Sequence, residues 1–421
     1  MRRAVITGIG VTAPGGIGRD AFWKFLTSGQ TATRRITAFD PTGHRCTVAA
    51  ECDFDPLAAG LPPELTGRTD RLTQLSLVST REAVADSGLD ITGALAERTA
   101  VSLGSAVGGT TSLEGQYAVM SDAGRKWLVD ASLAPAHLHE CFLPSSLAAE
   151  VARDTGSRGP ASVVSTGCTS GIDAVGNALE LIRGSEADVV VTGASDAPIS
   201  PITLTCFDVI KATSPYNDEP ATACRPFDRT RAGLVLGEGA ATLVLEEYEH
   251  ARRRGARIYA EVAGHAGRCN AFHMTGLKPD GTEMAEAIGH ALAEARVNTD
   301  EVDYINAHGS GTVQNDRHET AAFKRALGRH AHTTPVSGIK ASVGHSLGAI
   351  GSIEIAACAL AMNDSMIPPT ANLHEPDPAC DLDYVPLEAR QARLDTVLTV
   401  GSGFGGFQSA LVLTNFERDV R

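Results

Sequence analysis

The sequence lacks any pair of cysteines in a C-x-x-C arrangement, although it contains nine cysteines in 421 residues. In a chain that is large enough to fold without covalent cross-links, this scatter predicts reduced thiols and a cytoplasmic location. The sequence also lacks a run of about 18 apolar residues, and its N-terminal apolar stretch is too short for a signal peptide. We therefore expect a protein that is neither secreted nor inserted into a membrane.

Positive charge is also scarce in this chain. Lysine and arginine together number 36 against 50 aspartates and glutamates, which gives a formal net charge of −14. This balance argues against a nucleic-acid-binding protein, because such binding depends on neutralising phosphates. No stretch of proline, serine or charged residues is long enough to be a flexible linker. The 43% of hydrophobic residues and the 43 glycines favour a well-buried α/β core with many tight turns.

Three pairs of segments repeat in the same order along the chain, which indicates an internal duplication. The first pair aligns Gly167, Cys168 and Gly171 with Gly344, His345 and Gly348. Each of these triplets precedes a segment with the apolar spacing of a buried helix. The other two pairs have the pattern of strands and turns. In one pair, "ADVVVTGAS" followed by "GLVLGEGAATLVLEE" matches "DTVLTVGSG" followed by "FGGFQSALVLTN". In the other pair, "TAVSLGSAVGG" matches "VDYINAHGSGT".

The duplication predicts two α/β halves related by a pseudo-twofold axis, one over residues 1–250 and the other over residues 251–421. The boundary falls in the charged stretch at residues 246–262, whose arginines at 252–254 we interpret as a solvated helix end. In such a pair of halves, Cys168 and His345 lie at equivalent N-termini of two buried helices, close to the seam between the halves.

Two glycine-rich stretches imitate the dinucleotide-binding pattern G-x-G-x-x-G. In the first, Gly8 and Gly10 follow a strand-like run, but Pro14 and the glycines after it would break the helix that must receive a pyrophosphate. In the second, at residues 401–406, the alternating residues that follow predict a strand instead of a helix. We interpret this second stretch as a tight, backbone-exposing loop with Phe404 at its tip.

Cys168 can be interpreted in two ways. Free cysteine is among the most buried residue types, so this side chain can simply fill a turn. At a helix N-terminus, however, the macrodipole favours the thiolate, and the flanking glycines allow the backbone N–H of residue 168 to face a developing oxyanion. The second interpretation makes Cys168 a candidate nucleophile, and the residues of the matching half favour it.

Two histidines accompany this cysteine. His308 lies at a strand end in "NAHGSGT", and His345 lies in the turn that matches the turn of Cys168. A thiol hydrolase needs one histidine as a base. Two neutral imidazoles that face one thiol can instead donate hydrogen bonds to a thioester carbonyl whose neighbouring carbon becomes a carbanion. This pattern suits decarboxylation and Claisen condensation.

Lys340 ends an apolar strand, where its ammonium group needs a carboxylate partner. We predict Glu319 as that partner, with Asp316 as the other candidate near His308 in the sequence. An ordinary ion pair on a surface helix is the alternative. Asp316 and His318 together do not have the ligand spacing of a metal site, and we predict no bound metal.

These residues resemble those of the β-ketoacyl synthases from one end of the chain to the other. The chain is similar above all to the alpha ketosynthase subunits of bacterial type II (aromatic) polyketide synthases. Fatty-acid enzymes of the family usually have Thr-Ala-Cys-Ser-Ser-Gly around the nucleophile, whereas this chain has "TGCTSG" at residues 166–171. The resemblance implies a thiolase-like α/β fold in layers α-β-α-β-α. The matching stretches are "VSTGCTSGIDAVGNA", "RPFDRTRAGLVLGEGAA", "RCNAFHMTGLK", "DYINAHGSGTVQNDRHETAAFKRALG", "SGIKASVGHSLGAIGSIEIAAC" and "VLTVGSGFGGFQSA".

The resemblance also implies a role for each matching residue. The enzyme condenses malonyl-acyl carrier protein, with loss of CO2, onto a chain held on its cysteine, and so elongates a poly-β-ketone. The resemblance makes Cys168 the nucleophile and His308 and His345 the pair that drives decarboxylation. It implies that Lys340 organises the second histidine through Glu319 and Asp316, and that Phe404 gates the site and forms the oxyanion hole with the N–H of Cys168. The hydroxyls implied to line the phosphopantetheine tunnel are those of Thr275, Ser310 and Thr312.

Partners and cofactors follow from the same resemblance. It implies a heterodimer with a chain length factor, which has a similar fold but lacks the cysteine, and docking by an acyl carrier protein. Arg68 and Lys211 are the predicted docking cations. No cofactor is implied, because the carrier protein brings the phosphopantetheine. The alternatives are a fatty-acid or polyene-type synthase, a thiol hydrolase that uses Cys168 and one histidine, and a non-catalytic scaffold.

Overall fold

The computed structural model describes residues 2–417. Its strands are β1 (Ala4–Ala13), β2 (Gly16–Ile17), β3 (Thr33–Arg35), β4 (Val48–Ala50), β5 (Thr99–Gly104), β6 (Ala161–Val164), β7 (Val189–Asp196), β8 (Leu236–Gly237), β9 (Gly239–Glu247), β10 (Ala260–Cys269), β11 (Tyr304–Asn306), β12 (Val336–Ser337), β13 (Met366–Ile367), β14 (Arg390–Gln391), β15 (Thr396–Gly403) and β16 (Phe407–Thr414). Its α-helices are α1 (Arg19–Thr27), α2 (Pro63–Thr66), α3 (Arg71–Ser87), α4 (Gly93–Glu97), α5 (Thr110–Met120), α6 (Leu138–Phe142), α7 (Ser146–Thr155), α8 (Ser170–Arg183), α9 (Pro201–Val209), α10 (Tyr248–Arg253), α11 (Thr282–Ala295), α12 (Val313–Leu327), α13 (Lys340–Val343) and α14 (Ile350–Asp364).

The main sheet repeats one pattern of strands twice. Its order is β12-β11-β15-β16-β10-β1-β9-β7-β5-β6, with β2 paired to β1. Outward from the centre, β1-β9-β7-β5-β6 and β10-β16-β15-β11-β12 each contain two antiparallel pairings followed by two parallel ones. The two runs of strands are joined only where residues 4–6 of β1 pair with residues 260–262 of β10. The predicted pseudo-twofold relation is therefore confirmed.

Helices form layers around these two runs of strands. Helix α3 packs on β1, β9 and β7 of the first run, and α11 packs on β10, β16 and β15 of the second. Helix α8 contacts β5 and β7 of the first run but also β10 and β16 of the second, while α14 contacts β9 and β15. Because α8 and α14 touch strands of both runs, they form the middle layer. The predicted layered α/β architecture is confirmed.

Glycines allow the closest contacts between these layers. Gly8 and Gly10, which imitated a nucleotide-binding pattern, lie within β1. A Cβ atom at these positions would stand 2.1 Å from the carbonyl oxygen of Ala83 and 1.9 Å from that of Ser79, both on α3. The two glycines therefore let α3 approach the sheet. The second glycine-rich stretch is the predicted tight turn, since residues 404–406 connect the antiparallel strands β15 and β16.

The two helices of the middle layer meet in the same way. A Cβ atom on Gly171 of α8 would lie 2.5 Å from the backbone nitrogen of Ser352, and one on Gly351 of α14 would lie 2.8 Å from Ile172. Neither distance leaves room for a side chain. The segment Leu347–Asp364 has a mean hydropathy of 1.2 and is long enough to cross a membrane by composition, but 83% of it is buried inside the protein. Its apolar composition is thus that of a core helix.

The chain passes from one half to the other through the predicted charged stretch. Strand β9 ends at Glu247, α10 follows, and β10 begins at Ala260. Arg252 and Arg253 are exposed at the end of α10, as predicted for a solvated helix end, whereas Arg254 is half-buried and forms an ion pair with the buried Glu246 at 2.7 Å. The division into residues 1–250 and 251–421 stays a prediction, and residues 418–421 lie outside the described residues.

We expect Gly171→Ala to destabilise the protein by about 2 kcal/mol, because the added methyl group overpacks the contact between α8 and α14. Gly289→Ala is the matched control, since Gly289 lies in α11 with no atom within 4 Å of its Cβ position. That control should stabilise the protein by about 0.5–1 kcal/mol, the usual gain from alanine inside a helix. Urea unfolding of both variants measures the difference. Equal effects from the two substitutions would contradict a steric limit at Gly171.

Candidate active site

Cys168 lies in a 3-10 turn, Gly167–Thr169, that leads directly into α8. Gly167 has a φ of 63° and Gly344, its counterpart before His345, has a φ of 70°. Both values lie in the left-handed region that side chains other than glycine adopt rarely. The two predicted turns therefore share one backbone feature. Their helices begin differently, since Ser346 and a 3-10 turn over Leu347–Ala349 separate His345 from α14.

The two predicted histidines face one another. Their ring centroids are 5.2 Å apart, and the rings are inclined by 79°. The backbone N–H of Leu347 donates to Nδ1 of His345 at 3.1 Å, so a neutral His345 carries its proton on Nε2. Burial and the charge of Lys340 hold the pKa of both imidazoles well below the usual range. Both side chains are therefore neutral hydrogen-bond donors near pH 7.

The ion pair of Lys340 contradicts the predicted pairing with Glu319. The Nζ atom of Lys340 lies 2.5 Å from Oε1 of Glu354 and also donates to the backbone carbonyl of His308. Glu319, the predicted partner, makes no ion pair with it. Glu354 lies on α14, and its burial raises the pKa of its carboxyl to about 7. The sequence carried a signal for this residue, because Glu354 is the one acidic side chain within the apolar stretch "IGSIEIAACALAM" and needs a cation there.

The two acidic residues near His308 have other partners. Glu319 accepts hydrogen bonds from the backbone N–H of Gly309 at 2.8 Å and from the amide of Asn315 at 2.7 Å. Burial, together with the nearby Asp316 carboxyl, raises the pKa of Glu319 to about 8. Asp316 forms an ion pair with Arg231 at 3.0 Å. Through Gly309, Glu319 supports the loop that carries His308, a contact that sequence reasoning missed.

Cys168 is a buried residue, 9% exposed. Burial raises its pKa to about 11, against the smaller effects of the Lys340 charge and of hydrogen bonds from the backbone N–H groups of Phe404 and Cys168. Burial therefore has a larger effect on this pKa than the charge and the hydrogen bonds that favour the thiolate. The N–H groups of Phe404 and Cys168 that point at the sulfur are the two donors named for the oxyanion hole, and that role stays a prediction.

One cavity of about 330 Å³ connects these groups. Most of the predicted site residues line it: Cys168, His308, His345, Phe404, Thr275, Ser310, Thr312 and Lys211. The hydroxyls of Ser310 and Thr312 are 3.0 Å apart. Phe207, which sequence reasoning missed, also lines the cavity and stacks on Phe404 with ring centroids 5.8 Å apart. Among residues 2–417, no group of three or more His, Cys, Asp and Glu side chains is suited to hold a metal ion.

Arg68 does not reach this cavity. Its guanidinium donates to Glu140 at 2.6 Å and to both carboxylate oxygens of Glu150 at 2.8 and 2.7 Å. A cation held by two carboxylates offers little charge to an acidic partner. Docking by Arg68 stays a prediction, and Lys211 is exposed beside the cavity.

Comparison with known proteins places the chain in a family. Residues 1–251 match the N-terminal domain of the β-ketoacyl synthases, and residues 259–374 match the C-terminal domain. The tetracenomycin polyketide synthase ketoacyl synthase alpha subunit of Streptomyces glaucescens is 63% identical over 98% of this chain and 97% of that protein. The actinorhodin polyketide putative beta-ketoacyl synthase 1 of Streptomyces coelicolor is 60% identical over 99% and 89%. The 3-oxoacyl-[acyl-carrier-protein] synthase 2 of Coxiella burnetii is 38% identical over 98% of both chains.

Solved structures agree with these relatives. A complex of a type II polyketide synthase acyl-carrier protein with its ketosynthase bound to the hexaketide contains a chain that matches with a TM-score of 0.92 and 34% identity, over 99% of this chain and 100% of the other. The ishigamide ketosynthase/chain length factor matches with a TM-score of 0.90 and 33% identity, over 99% of both chains. These matches confirm the predicted thiolase-like fold. The chain belongs to the β-ketoacyl synthase family of acyltransferases.

Proposed function

We propose that this chain elongates a poly-β-ketone by decarboxylative Claisen condensation of malonyl-acyl carrier protein with a chain held on Cys168. One observation carries the assignment: a buried thiol shares a cavity with two imidazoles that are neutral and close to each other. A hydrolase needs one histidine as a base, whereas two neutral donors suit the stabilisation of an enolate.

The first step transfers the growing chain to the enzyme. The sulfur of Cys168 attacks the thioester carbonyl of the carrier-bound chain, and the C–S bond to phosphopantetheine breaks. The proton of the thiol ends on the departing phosphopantetheine sulfur. The carbonyl oxygen becomes an oxyanion in the tetrahedral intermediate, and the N–H groups of Cys168 and Phe404 are the proposed donors to it.

The second step removes CO2 from malonyl-acyl carrier protein. The bond between the carboxylate carbon and the α-carbon breaks, and its electron pair passes into an enolate. His308 and His345 donate hydrogen bonds to the enolate oxygen. Their depressed pKa values matter here, because a neutral imidazole keeps the donor proton and leaves the site free of a permanent positive charge. Lys340, held by Glu354, supports His308 through its backbone carbonyl.

The third step forms the new carbon–carbon bond. The α-carbon of the enolate attacks the Cys168 thioester, and the bond from its carbonyl carbon to sulfur breaks. The product is a β-ketoacyl chain on the carrier protein, two carbons longer, and the Cys168 thiolate takes up a proton. Thr275, Ser310 and Thr312 are the proposed hydroxyl contacts of the phosphopantetheine arm along the cavity.

Sequence similarity supports a polyketide substrate over a fatty acid. The polyketide synthase relatives are 60–64% identical to the chain, compared with 38% for the 3-oxoacyl-[acyl-carrier-protein] synthase. A heterodimer with a chain length factor and docking by an acyl carrier protein belong to the same proposal, supported by the complexes among the structural relatives. The cytoplasmic location stays a prediction.

The rim of the cavity supports docking of an acidic carrier protein. Among the described residues that line the cavity, Lys211 has the one side chain that is charged near neutral pH. Three exposed apolar side chains lie around it: Ile210, Met274 and Val313. An apolar rim with a single cation suits a partner surface that combines apolar contacts with carboxylates.

Intact-mass analysis tests the nucleophile. We expect the full-length protein to gain the mass of an acetyl group after incubation with acetyl-acyl carrier protein, and Cys168→Ala to gain none. Cys206→Ala is the control, because Cys206 is an exposed cysteine that does not line the cavity. The assignment is lost if the unmodified protein stays unacylated or if Cys168→Ala is acylated to the same extent.

The corrected partner of Lys340 has a measurable consequence. We expect Glu354→Gln to destabilise the protein by about 3 kcal/mol, because it leaves a buried ammonium group without its carboxylate. Glu319→Gln is the matched control. Glu319 accepts two hydrogen bonds through one carboxylate oxygen and forms no ion pair with Lys340, so an amide of similar shape, whose oxygen can accept the same bonds, should cost less than about 1 kcal/mol. Urea unfolding at pH 7 measures both values, and a larger loss for Glu319→Gln would restore the original pairing.

A charge reversal at the rim tests carrier docking. We expect Lys211→Glu to raise KM for malonyl-acyl carrier protein about tenfold at low salt and to leave kcat nearly unchanged, because a rim charge acts mainly on encounter. Arg253→Glu is the control, since Arg253 is equally exposed but lies on α10 away from the cavity. The docking site is elsewhere if both variants have the KM of the unmodified protein.

A further inference from the structure

Four side chains donate hydrogen bonds to one carboxylate behind the nucleophile. Asp173, in the first turn of α8, accepts at Oδ2 from the hydroxyls of Thr166 at 2.5 Å and Thr169 at 2.8 Å. Its Oδ1 accepts from Nε2 of His265 at 3.0 Å and from the hydroxyl of Ser409 at 2.6 Å. Both oxygens of this carboxylate are therefore fully used, and neither faces the substrate cavity.

The donors come from two parts of the chain that meet at the site. Thr166 precedes the turn that holds Cys168, and Thr169 is the last residue of that turn. Ser409 lies on β16, the strand that begins directly after the loop of Phe404, and His265 lies on the neighbouring strand β10. One carboxylate thus connects the nucleophile turn of the first half to the loop-bearing strands of the second half.

The oxyanion hole depends on the spacing between those two parts. One proposed donor is the N–H of Cys168 and the other is the N–H of Phe404, so each part supplies one. The parts touch through their backbones, since a Cβ atom on Gly403 would lie 3.0 Å from the carbonyl oxygen of Thr166 and 3.2 Å from the nitrogen of Cys168. A small shift between them would change the distance from each donor to the oxyanion.

The ring of His265 can reach Asp173 only because residue 176 is a glycine. The imidazole ring lies over Gly176 of α8, where a Cβ atom would stand 2.3 Å from Nδ1. Any side chain at position 176 would therefore displace the imidazole from Asp173. Burial alone would raise the pKa of Asp173. The hydrogen bond from His265 opposes this effect and, with those from the hydroxyl groups, holds the pKa below its usual range, so the group is a carboxylate near pH 7.

We propose that Asp173 is a positioning residue that, through Thr166 and Thr169 on one side and His265 and Ser409 on the other, fixes the distance between the two N–H donors of the oxyanion hole. This inference rests on the proposed acyl transfer to Cys168. It assigns a role to the threonine that follows the nucleophile, because Thr169 is one of the two hydroxyls through which the carboxylate holds the turn.

Two rates measured on the full-length protein separate positioning from simple stability. The first is acyl transfer from acetyl-acyl carrier protein to Cys168, followed by intact mass. The second is alkylation of Cys168 by iodoacetamide, which forms no oxyanion. We expect Asp173→Asn and Thr169→Val to slow acyl transfer about 10- to 100-fold, as a displacement of about 1 Å at a reacting centre does, with a much smaller loss in the rate of alkylation. Thr169→Ser keeps the hydroxyl and should restore acyl transfer to the rate of the unmodified protein.

Ser102→Ala is the matched control for Ser409→Ala. Ser102 is also a buried serine that binds α8, but it donates to the carbonyl of Ala174 and does not reach the nucleophile turn. We expect Ser409→Ala to slow acyl transfer and Ser102→Ala to leave it unchanged. If Asp173→Asn does not fold, the comparison of Thr169→Val with Thr169→Ser decides the question alone.

The inference is overturned if Asp173→Asn or Thr169→Val transfers the acetyl group at the unmodified rate. It is also overturned if acyl transfer and alkylation fall together, or if Ser102→Ala slows transfer as much as Ser409→Ala. Failure of the unmodified protein to become acylated would instead contradict the proposed function, so the two failures are distinguishable.

Discussion

The close contact between α8 and α14 is the constraint on which the site depends. The two helices form the middle layer between two similar runs of strands, and glycines at residues 171 and 351 let their first turns touch with no side chain between them. The turn before α8 carries Cys168, and His345 lies two residues before the turn that leads into α14. Because the helices approach so closely, a nucleophile and a hydrogen-bond donor from distant parts of the sequence reach the same cavity. A wider contact would separate the two groups that the condensation needs together.

Burial sets the protonation states in this cavity, with opposite consequences for acids and bases. Desolvation penalises whichever form is charged, so it raises the pKa of Cys168 and Glu354 and lowers that of the two histidines. Lys340 adds a positive charge that disfavours imidazolium but favours the thiolate. The result is a pair of neutral hydrogen-bond donors beside a thiol that keeps its proton at rest and loses it during acyl transfer. Such a site stabilises charge when it develops and carries little of it at rest.

The sequence predicted repeated and local features well. The turns of Cys168 and His345, the strand pairs that follow them and the loop of Phe404 were all visible as repeats, because a duplicated fold repeats its glycines and its apolar spacing. Contacts between distant elements were not visible. Lys340 was assigned Glu319 by proximity to His308 in the sequence, whereas its ion pair is with Glu354, which lies on α14. Arg68 was assigned to docking from the resemblance alone, and the carboxylates that hold it come from two later segments.

The two halves share a backbone turn but fix it with different carboxylates. Asp173 holds the turn of Cys168 through side-chain hydroxyls. Asp196, at the end of β7, accepts the backbone N–H of Gly348 behind His345 at 2.8 Å and that of Ala106 at 2.8 Å. Burial raises the pKa of Asp196 to about 6, and its negative charge also disfavours the Cys168 thiolate. Asp196 therefore has an electrostatic cost at the site, and both acids are placed where they order a turn close to a reacting side chain. The two halves thus share the backbone turn and differ in the groups that support it, so that one half presents a nucleophile and the other a donor.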